Sequence, residues 1–351
     1  MKLSDFDYDL PKERIAQYPA SRCDESRMML LERKSGGVRE TRFSNFPRYL
    51  QIGDLLVVNE TKVIPARIFG RKATGGRVEI FLTHRLGRRR WSAMLRPARR
   101  LRSGGTILVG DEDFPVKILD RTGHGEWTVQ LPDAFTEDVF LRTFGHVPLP
   151  PYIKREDGSA DTLRYQTIFA RREGSVAAPT AGLHFTDDVL RRIRRRGVTV
   201  VPLALHVGPG TFRPLPCETV EENTLEPEYL LIKREYWEEI RAAKRSGRRI
   251  VAVGTTTTRA LESLVAGPLE EQEERIIDGE PYIGGWAPVF IYPGFRFRIV
   301  DAMLTNLHLP RSSLLLLVSA FAGCENVLAS YRWAVRRRFR FYSYGDCMFI
   351  R

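Results

Sequence analysis

The chain has 351 residues, 43% hydrophobic and 28% charged, enough apolar side chain for a full core and for two or three domains. Its net charge of +12 rests on arginines grouped at 88–90, 99–102, 191–196 and 336–340, so a polyanionic partner is expected, nucleic acid ahead of an anionic membrane. Four scattered cysteines, six histidines without HxxxH spacing, an apolar run (314–318) too short for a bilayer and an acidic start (Asp5, Asp7, Asp9) in place of a leader point away from disulfides, a protein-bound metal, a membrane span and secretion, and toward a soluble cytoplasmic protein.

In chain order, an extended segment (3–11) precedes a short helix over 12–16, then apolar strands over 28–31 and 55–58. Between 66 and 150 the texture changes. Six alternating runs (67–70, 77–82, 91–95, 106–109, 114–119 and 126–131) are separated by Gly75-Gly76, Ser103-Gly104-Gly105, Asp111-Glu112-Asp113 and 121–125, which predicts a small antiparallel β-barrel. Pro148, Pro150 and Pro151 close it off. From 151 onward two helix–Gly–strand–Gly units follow, helix 187–196 with strand 198–205 and helix 235–246 with strand 250–253. They predict a parallel sheet covered by helices, with ligands beyond the strand C-termini. Strands near 289–292 and 299–303, a helix over 312–321 and a basic helix over 325–339 complete the pattern. The expected organisation is one α/β domain from 1–65 and 151–351, with the barrel of 66–150 inserted.

Three bends could carry chemistry. Residues 174–186 are nearly uncharged, hold Gly174, Pro179 and Gly182, and end at Thr186-Asp187-Asp188, a helix start with a hydroxyl cap and two acids. Such a loop holds a ligand at its mouth, beside His184, or else is a buried connection. Residues 205–214 end a strand in His206 and a Gly208-Pro209-Gly210 turn, without the GxGxxG spacing of a dinucleotide site. Residues 250–262 read strand, Gly254, four threonines and a helix; free N–H groups and hydroxyls there suit a carboxylate or phosphate, although one threonine would suffice as a cap. Asn306 and His308 follow a further strand.

Taken together, 148–155 (PLPPYIKR), 164–167 (RYQT), 175–186 (SVAAPTAGLHFT), 210–214 (GTFRP), 253–256 (VGTT) and Tyr344-Gly345-Asp346 closely resemble the S-adenosylmethionine:tRNA ribosyltransferase-isomerase family of queuosine biosynthesis, in the family's order and over both ends of the chain. The resemblance implies a Rossmann-like three-layer α/β/α domain with an inserted β-barrel. It implies transfer and isomerisation of the ribosyl unit of S-adenosylmethionine onto 7-aminomethyl-7-deazaguanine at the tRNA wobble position, giving epoxyqueuosine and releasing adenine and methionine. S-adenosylmethionine is a co-substrate, and no other cofactor or metal is expected. The partner is the anticodon stem-loop, and the protein is expected to be a monomer.

On this basis His184, His206 and Glu228 are the candidate catalytic residues. Thr180, Gly182, Phe185, Thr186, Gly208, Gly210, Thr211, Gly254, Thr255, Thr256, Arg259, Asn306 and His308 are candidate substrate contacts, and Arg89, Arg99, Arg194 and Arg337 candidate tRNA contacts. The chemistry needs a base at the carbon beside the sulfonium and an acid near the departing adenine, so His184 and His206 are expected nearest the sugar, the 254–256 turn at the methionine carboxylate and Asn306 at a base edge. Family members carry two His at Asn223 and Glu226 and a Thr-Asp pair at Ala287-Pro288. Those departures motivate one rival reading, a catalytically impaired RNA-binding relative; a methyltransferase using the same donor is the other, disfavoured by the absent glycine fingerprint.

Overall fold

Strands that are apolar at every position need cover on both faces, and Leu55–Asn59 and Ile250–Val253 are buried along their whole length. The computed structural model describes residues 1–122, 125–208, 210, 213–267 and 269–351. These two strands lie at the centre of a ten-stranded sheet, in the order Glu270–Ile277, Glu280–Ala287, Glu228–Lys233, Thr199–His206, Leu55–Asn59, Ile250–Val253, Ala302–Asn306, Cys347–Ile350, Arg27–Leu31, Val38–Arg42. Alternate residues feed two cores. Leu55, Val57, Ile250, Ala252 and Met303 pack under the helices Arg234–Arg245, Thr255–Ala266, Ser313–Ala322 and Cys324–Arg336. Leu56, Val58, Val251, Val253 and Leu304 pack under the helix Asp187–Arg195 and the 3-10 turns Phe43–Tyr49 and Thr180–His184. The result is the expected three-layer α/β arrangement.

Several expectations are corrected. Thr199–His206, Leu55–Asn59, Ile250–Val253 and Ala302–Asn306 form a parallel quartet, with Val57 level with Val201 and Ala252, and Arg27–Leu31 pairs parallel with Cys347–Ile350. Cys347–Ile350 lies antiparallel to this quartet on one side and Glu228–Lys233 on the other, so the sheet is mixed. A continuous apolar run reports burial of both faces, not strand direction. Residues 289–292 form no strand; Pro288 and Pro293 flank them and supply no N–H for a ladder. The strand expected at 299–303 is Ala302–Asn306, and the helix at 12–16 is a 3-10 turn, Lys12–Arg14.

The six alternating runs do form a closed antiparallel barrel: Arg67–Lys72, Arg77–Gly87, Arg90–Arg96, Trp127–Gln130, Phe114–Arg121 and Thr106–Val109, the last returning to pair with the first at Gly70 and Val109. Ile68, Ile80, Trp91, Ala93, Val116 and Val129 fill it. The helix Glu137–Phe144, capped by the Thr136 hydroxyl accepting from Val139 N at 3.3 Å, buries Phe140 in the same core. Among the described residues no single helix is long and apolar enough to cross a membrane.

Candidate active site

The parallel quartet ends at Asn59, His206, Val253 and Asn306, all at one edge of the sheet, so its loops converge there. Ala181 Cβ lies 3.7 Å from the position a Cβ would take on Gly254, so the 174–186 and 254–258 bends touch. Between them is a small chamber of about 40 Å³ lined by Thr180, Thr255, Thr256, Asn306, His308 and Tyr342, among others. Two of the four threonines are committed to backbone: Thr257 Oγ1 donates to Val253 O at 2.7 Å and Thr258 Oγ1 to Gly254 O at 3.1 Å. Thr256 Oγ1 is buried without a hydrogen-bond partner, and the helix start at Gly254 has no side-chain cap.

A polar chain braces one side of this chamber. Thr180 Oγ1 donates to Asn306 Oδ1 at 3.1 Å, and Asn306 Nδ2 donates to Tyr342 O at 3.1 Å and to His184 Nε2 at 3.2 Å. His184 Nδ1 is 3.0 Å from Ser26 Oγ. Both His184 nitrogens therefore have protein partners, and burial lowers its pKa to about 4. Burial lowers His308 to about 3, with Nε2 at 2.9 Å from Thr305 Oγ1. Both rings are neutral at pH 7.

A second, larger chamber of about 1150 Å³ opens where the barrel meets the sheet edge. Barrel residues His84, Arg85, Leu86 and Trp91 form one side; His206, Tyr229, Glu273, Arg275 and Trp286 form the other. His206 ends its strand. Its ring rests on Gly174, where a Cβ would come within 2.9 Å of His206 Cε1, and Nδ1 lies 2.8 Å from Thr61 Oγ1. Burial first and the Arg172 charge second lower its pKa to about 4. Tyr229 Oη donates to Glu273 Oε1 at 2.7 Å, and burial together with that carboxylate raises its pKa. Gly284 makes room for this tyrosine: a Cβ there would lie 2.6 Å from Tyr229 Oη. Trp286 meets Tyr229 edge-on at 5.4 Å, and His84 meets Trp286 at 5.4 Å.

The two chambers are neighbours along the same two segments. Gly174 and His206 line the large one; Ala178, Thr180 and Val207, a few residues further along the same segments, line the small one. Ser175 Oγ ties these segments together, donating to Ala177 O at 2.7 Å and accepting from Val207 N at 2.9 Å.

The remaining candidates lie behind the chambers. Glu228 Oε1 accepts from Gly208 N at 3.2 Å, and Oε2 pairs with Arg259 Nη1 at 3.1 Å. Arg259 also donates to the carbonyls of Val289, Glu226 and Ala287 at 2.9–3.0 Å, so both charges are buried and satisfied. Gly182, Phe185, Thr186, Gly208 and Gly210 line neither chamber. Phe185 is core, and Thr186 caps Asp187–Arg195 by accepting from Val189 N. Thr211 falls outside the described residues. Asn223 closes its own loop, bonding Cys217 N and O at 3.0 Å, and Ala287 is fully buried. With Glu226 and Pro288, these positions also line neither chamber.

Of the candidate tRNA contacts, Arg89 is engaged by Asp133 at 2.5 Å and Phe135 O at 2.8 Å, and Arg337 is 3.6 Å from Glu40. Arg99 and Arg194 are exposed. Sequence reasoning missed His84, Thr61, Trp286, Glu273 and Arg275; the Gly284-Gly285-Trp286 run was the signal available for Trp286. Among the described residues no three His, Cys, Asp or Glu are placed to hold a metal.

The same ground plan exists in proteins of known description. The family model for queuosine biosynthesis protein matches residues 3–350. An S-adenosylmethionine:tRNA ribosyltransferase-isomerase of Aquifex aeolicus is 47% identical over 350 residues, and one of Halothermothrix orenii is 44% identical over 351, each match covering 100% of both chains. The crystal structure of the S-adenosylmethionine tRNA ribosyltransferase of Thermotoga maritima is similar at TM-score 0.55 and 35% identity, covering 99% of this chain and 100% of that one. With the match running from residue 3 to residue 350, across barrel and sheet alike, this chain belongs to the queuosine biosynthesis protein family.

Proposed function

We propose that this protein is an S-adenosylmethionine:tRNA ribosyltransferase-isomerase, moving the ribosyl unit of S-adenosylmethionine onto 7-aminomethyl-7-deazaguanine at the wobble position of a tRNA. The sugar rearranges to an epoxycyclopentane, and adenine and methionine leave. The observation that carries the reading is the pair of adjoining chambers at the strand C-terminal edge, one built for a small anion and one large enough for a sugar with a base.

The small chamber takes the methionine carboxylate. Its 40 Å³ holds roughly three waters, about the room a carboxylate needs. Free N–H groups at the start of a twelve-residue helix and the unpartnered Thr256 hydroxyl favour negative charge there. Thr180, Thr255 and His308 complete its lining. His184 acts behind this line, holding Asn306 in place. In the large chamber His206 is the proton acceptor for the carbon beside the sulfonium: its neutral ring is oriented through Nδ1 by Thr61, and among the described residues Nε2 has no hydrogen-bond partner. Glu228 and Arg259 set the turn at Gly208 that follows this histidine. Gly182, Phe185, Thr186 and Gly210 belong to the frame.

The protein acts in the cytoplasm as a monomer on the anticodon stem-loop, and its chain divides into 1–65 with 151–351 and the inserted 66–150. Incubation with S-adenosylmethionine and tRNA carrying the aminomethyl precursor tests the activity. Release of adenine with the mass gain of the epoxycyclopentane supports it; addition of a methyl group, or no adenine, overturns it.

A further inference from the structure

The +12 charge of the chain is not spread evenly around the large chamber. Its inner cations are each matched: Lys62 with Glu173 at 2.7 Å, Arg85 with Glu137 at 3.0 Å, Arg142 with Asp138 at 2.7 Å and Arg275 with Glu273 at 2.5 Å. The barrel hairpin that joins Arg77–Gly87 to Arg90–Arg96 frames the mouth, with Leu86 55% exposed on the lining. At its tip Arg88 and Arg90 are exposed and make no ion pair among the described residues. Below the tip, His84, Trp286 and Tyr229 form a run of edge-on aromatic contacts that crosses from barrel to sheet.

An interior whose cations are all matched by acids, with an aromatic wall and a cationic rim, sorts a polynucleotide by its parts. Phosphates gain at the rim and gain nothing inside, whereas an unpaired base can enter and stack. A base in a duplex cannot reach that wall without leaving its partner. The arginines at the end of Asp187–Arg195 are placed differently. That helix runs into Gly197, whose carbonyl accepts from Gly53 N at the N-terminal edge of the sheet, the far end of the eight-residue strand Thr199–His206. Eight residues of strand put Arg194 and Arg195 about 25 Å from His206.

We infer that the hairpin tip Arg88–Arg90 and the His84–Trp286–Tyr229 wall form the entry for a single-stranded RNA loop, with the backbone on the rim and one base drawn inside, and that the 191–196 cluster is not part of this contact. This rests on the proposed tRNA substrate and assigns which surface meets it.

The test uses the full-length protein and a fluorescent anticodon stem-loop RNA, with a fully paired duplex of equal length beside it. Arg88→Ala/Arg90→Ala is expected to weaken stem-loop binding about tenfold at low salt and to flatten the plot of log affinity against log salt by about one and a half units, the counterion release of two single-strand phosphate contacts. Trp286→Leu is expected to weaken binding about tenfold with the salt slope unchanged, since stacking releases no counterions. Arg194→Ala/Arg195→Ala is expected to change affinity less than about twofold, the long-range share of two distant charges. All four arginines are exposed, so the double variants should keep the wild-type melting temperature. Equal losses from the two arginine pairs, or duplex bound as tightly as stem-loop, overturn the inference. Wild-type protein that binds the stem-loop and releases adenine while both entry variants behave normally overturns the inference alone; wild-type protein that binds no stem-loop overturns the functional reading with it.

Discussion

The two chambers are built on opposite plans. One side of the small one is braced by groups that already satisfy one another, Thr180, Asn306, His184 and Ser26 forming an unbroken chain of bonds, which leaves Thr256 and the helix start free for a ligand. The large one is lined by ion pairs between partly exposed side chains, such as Lys62–Glu173, 43% and 55% exposed. A wall of buried, bonded groups has one arrangement and is preorganised for a ligand of fixed shape. A wall of exposed ion pairs is held weakly and can give way to a large polyanion. The difference matches a small co-substrate held by a fixed frame and an RNA admitted at an adaptable mouth.

Substitutions can sharpen or break this contrast. The largest expected effect is at His206, the ring that faces the large chamber: His206→Gln should lower kcat by about 10²–10⁴-fold if it moves the proton, with S-adenosylmethionine affinity by calorimetry little changed. Near-normal turnover removes it as the base.

Next comes the brace behind both chambers. Arg259→Met takes the Arg259 counter-charge from the buried Glu228 carboxylate, a loss of about 3–5 kcal/mol in denaturant unfolding. A loss below about 1 kcal/mol would mean that the pair contributes little to holding the Gly208 turn.

Acid should act through the buried histidines. His184 and His206 have folded pKa values of about 4 and His308 of about 3, all lowered chiefly by burial from 6.5. Between those values and 6.5 the unfolded chain binds more protons, so their contribution to stability is complete above about pH 6.5 and is lost as pH falls toward 4. An unfolding free energy that falls over this range, by on the order of a few kcal/mol in denaturant titrations, is the expected outcome; a flat profile would place these rings in contact with water.

Asn306→Ala cuts three bonds of the small wall at once and strands the Thr180 hydroxyl and the His184 nitrogen. The cost should be about 1–3 kcal/mol in stability, with a weaker hold on S-adenosylmethionine in calorimetry. The smallest effect is expected at Lys62, where removal of an exposed pair by Lys62→Ala should cost less than about 1 kcal/mol. A larger loss there would end the contrast between the walls.

The six barrel strands were legible because half-buried strands alternate with period two and their turns carry Gly-Gly or Asp runs. Glu270–Ile277 was not: Glu273, Glu274 and Arg275 follow one another with no alternation, and the strand exists because Glu280–Ala287 offers it a ladder. The converse error came at 289–292, apolar but without a ladder. Glu228 and Arg259 could be nominated separately, but their residue types do not reveal that each satisfies the other behind the chambers.

What the amino-acid order alone settled was local: where alternation makes strands, where Gly254 and Thr186 start helices, which segments match the family's motifs, and that arginine dominates the charge. Tertiary structure alone decided strand direction at the sheet edges, that His206 faces the large chamber while His184 spends both ring nitrogens on Ser26 and Asn306, and that the hairpin carrying Arg88 borders that chamber while the helix carrying Arg194 ends at the N-terminal edge of the sheet. The reason is range. Turn chemistry and periodicity act over a few residues, whereas contacts such as Asn306 to His184, 122 residues apart, exist only once the sheet has brought its strand ends to one edge.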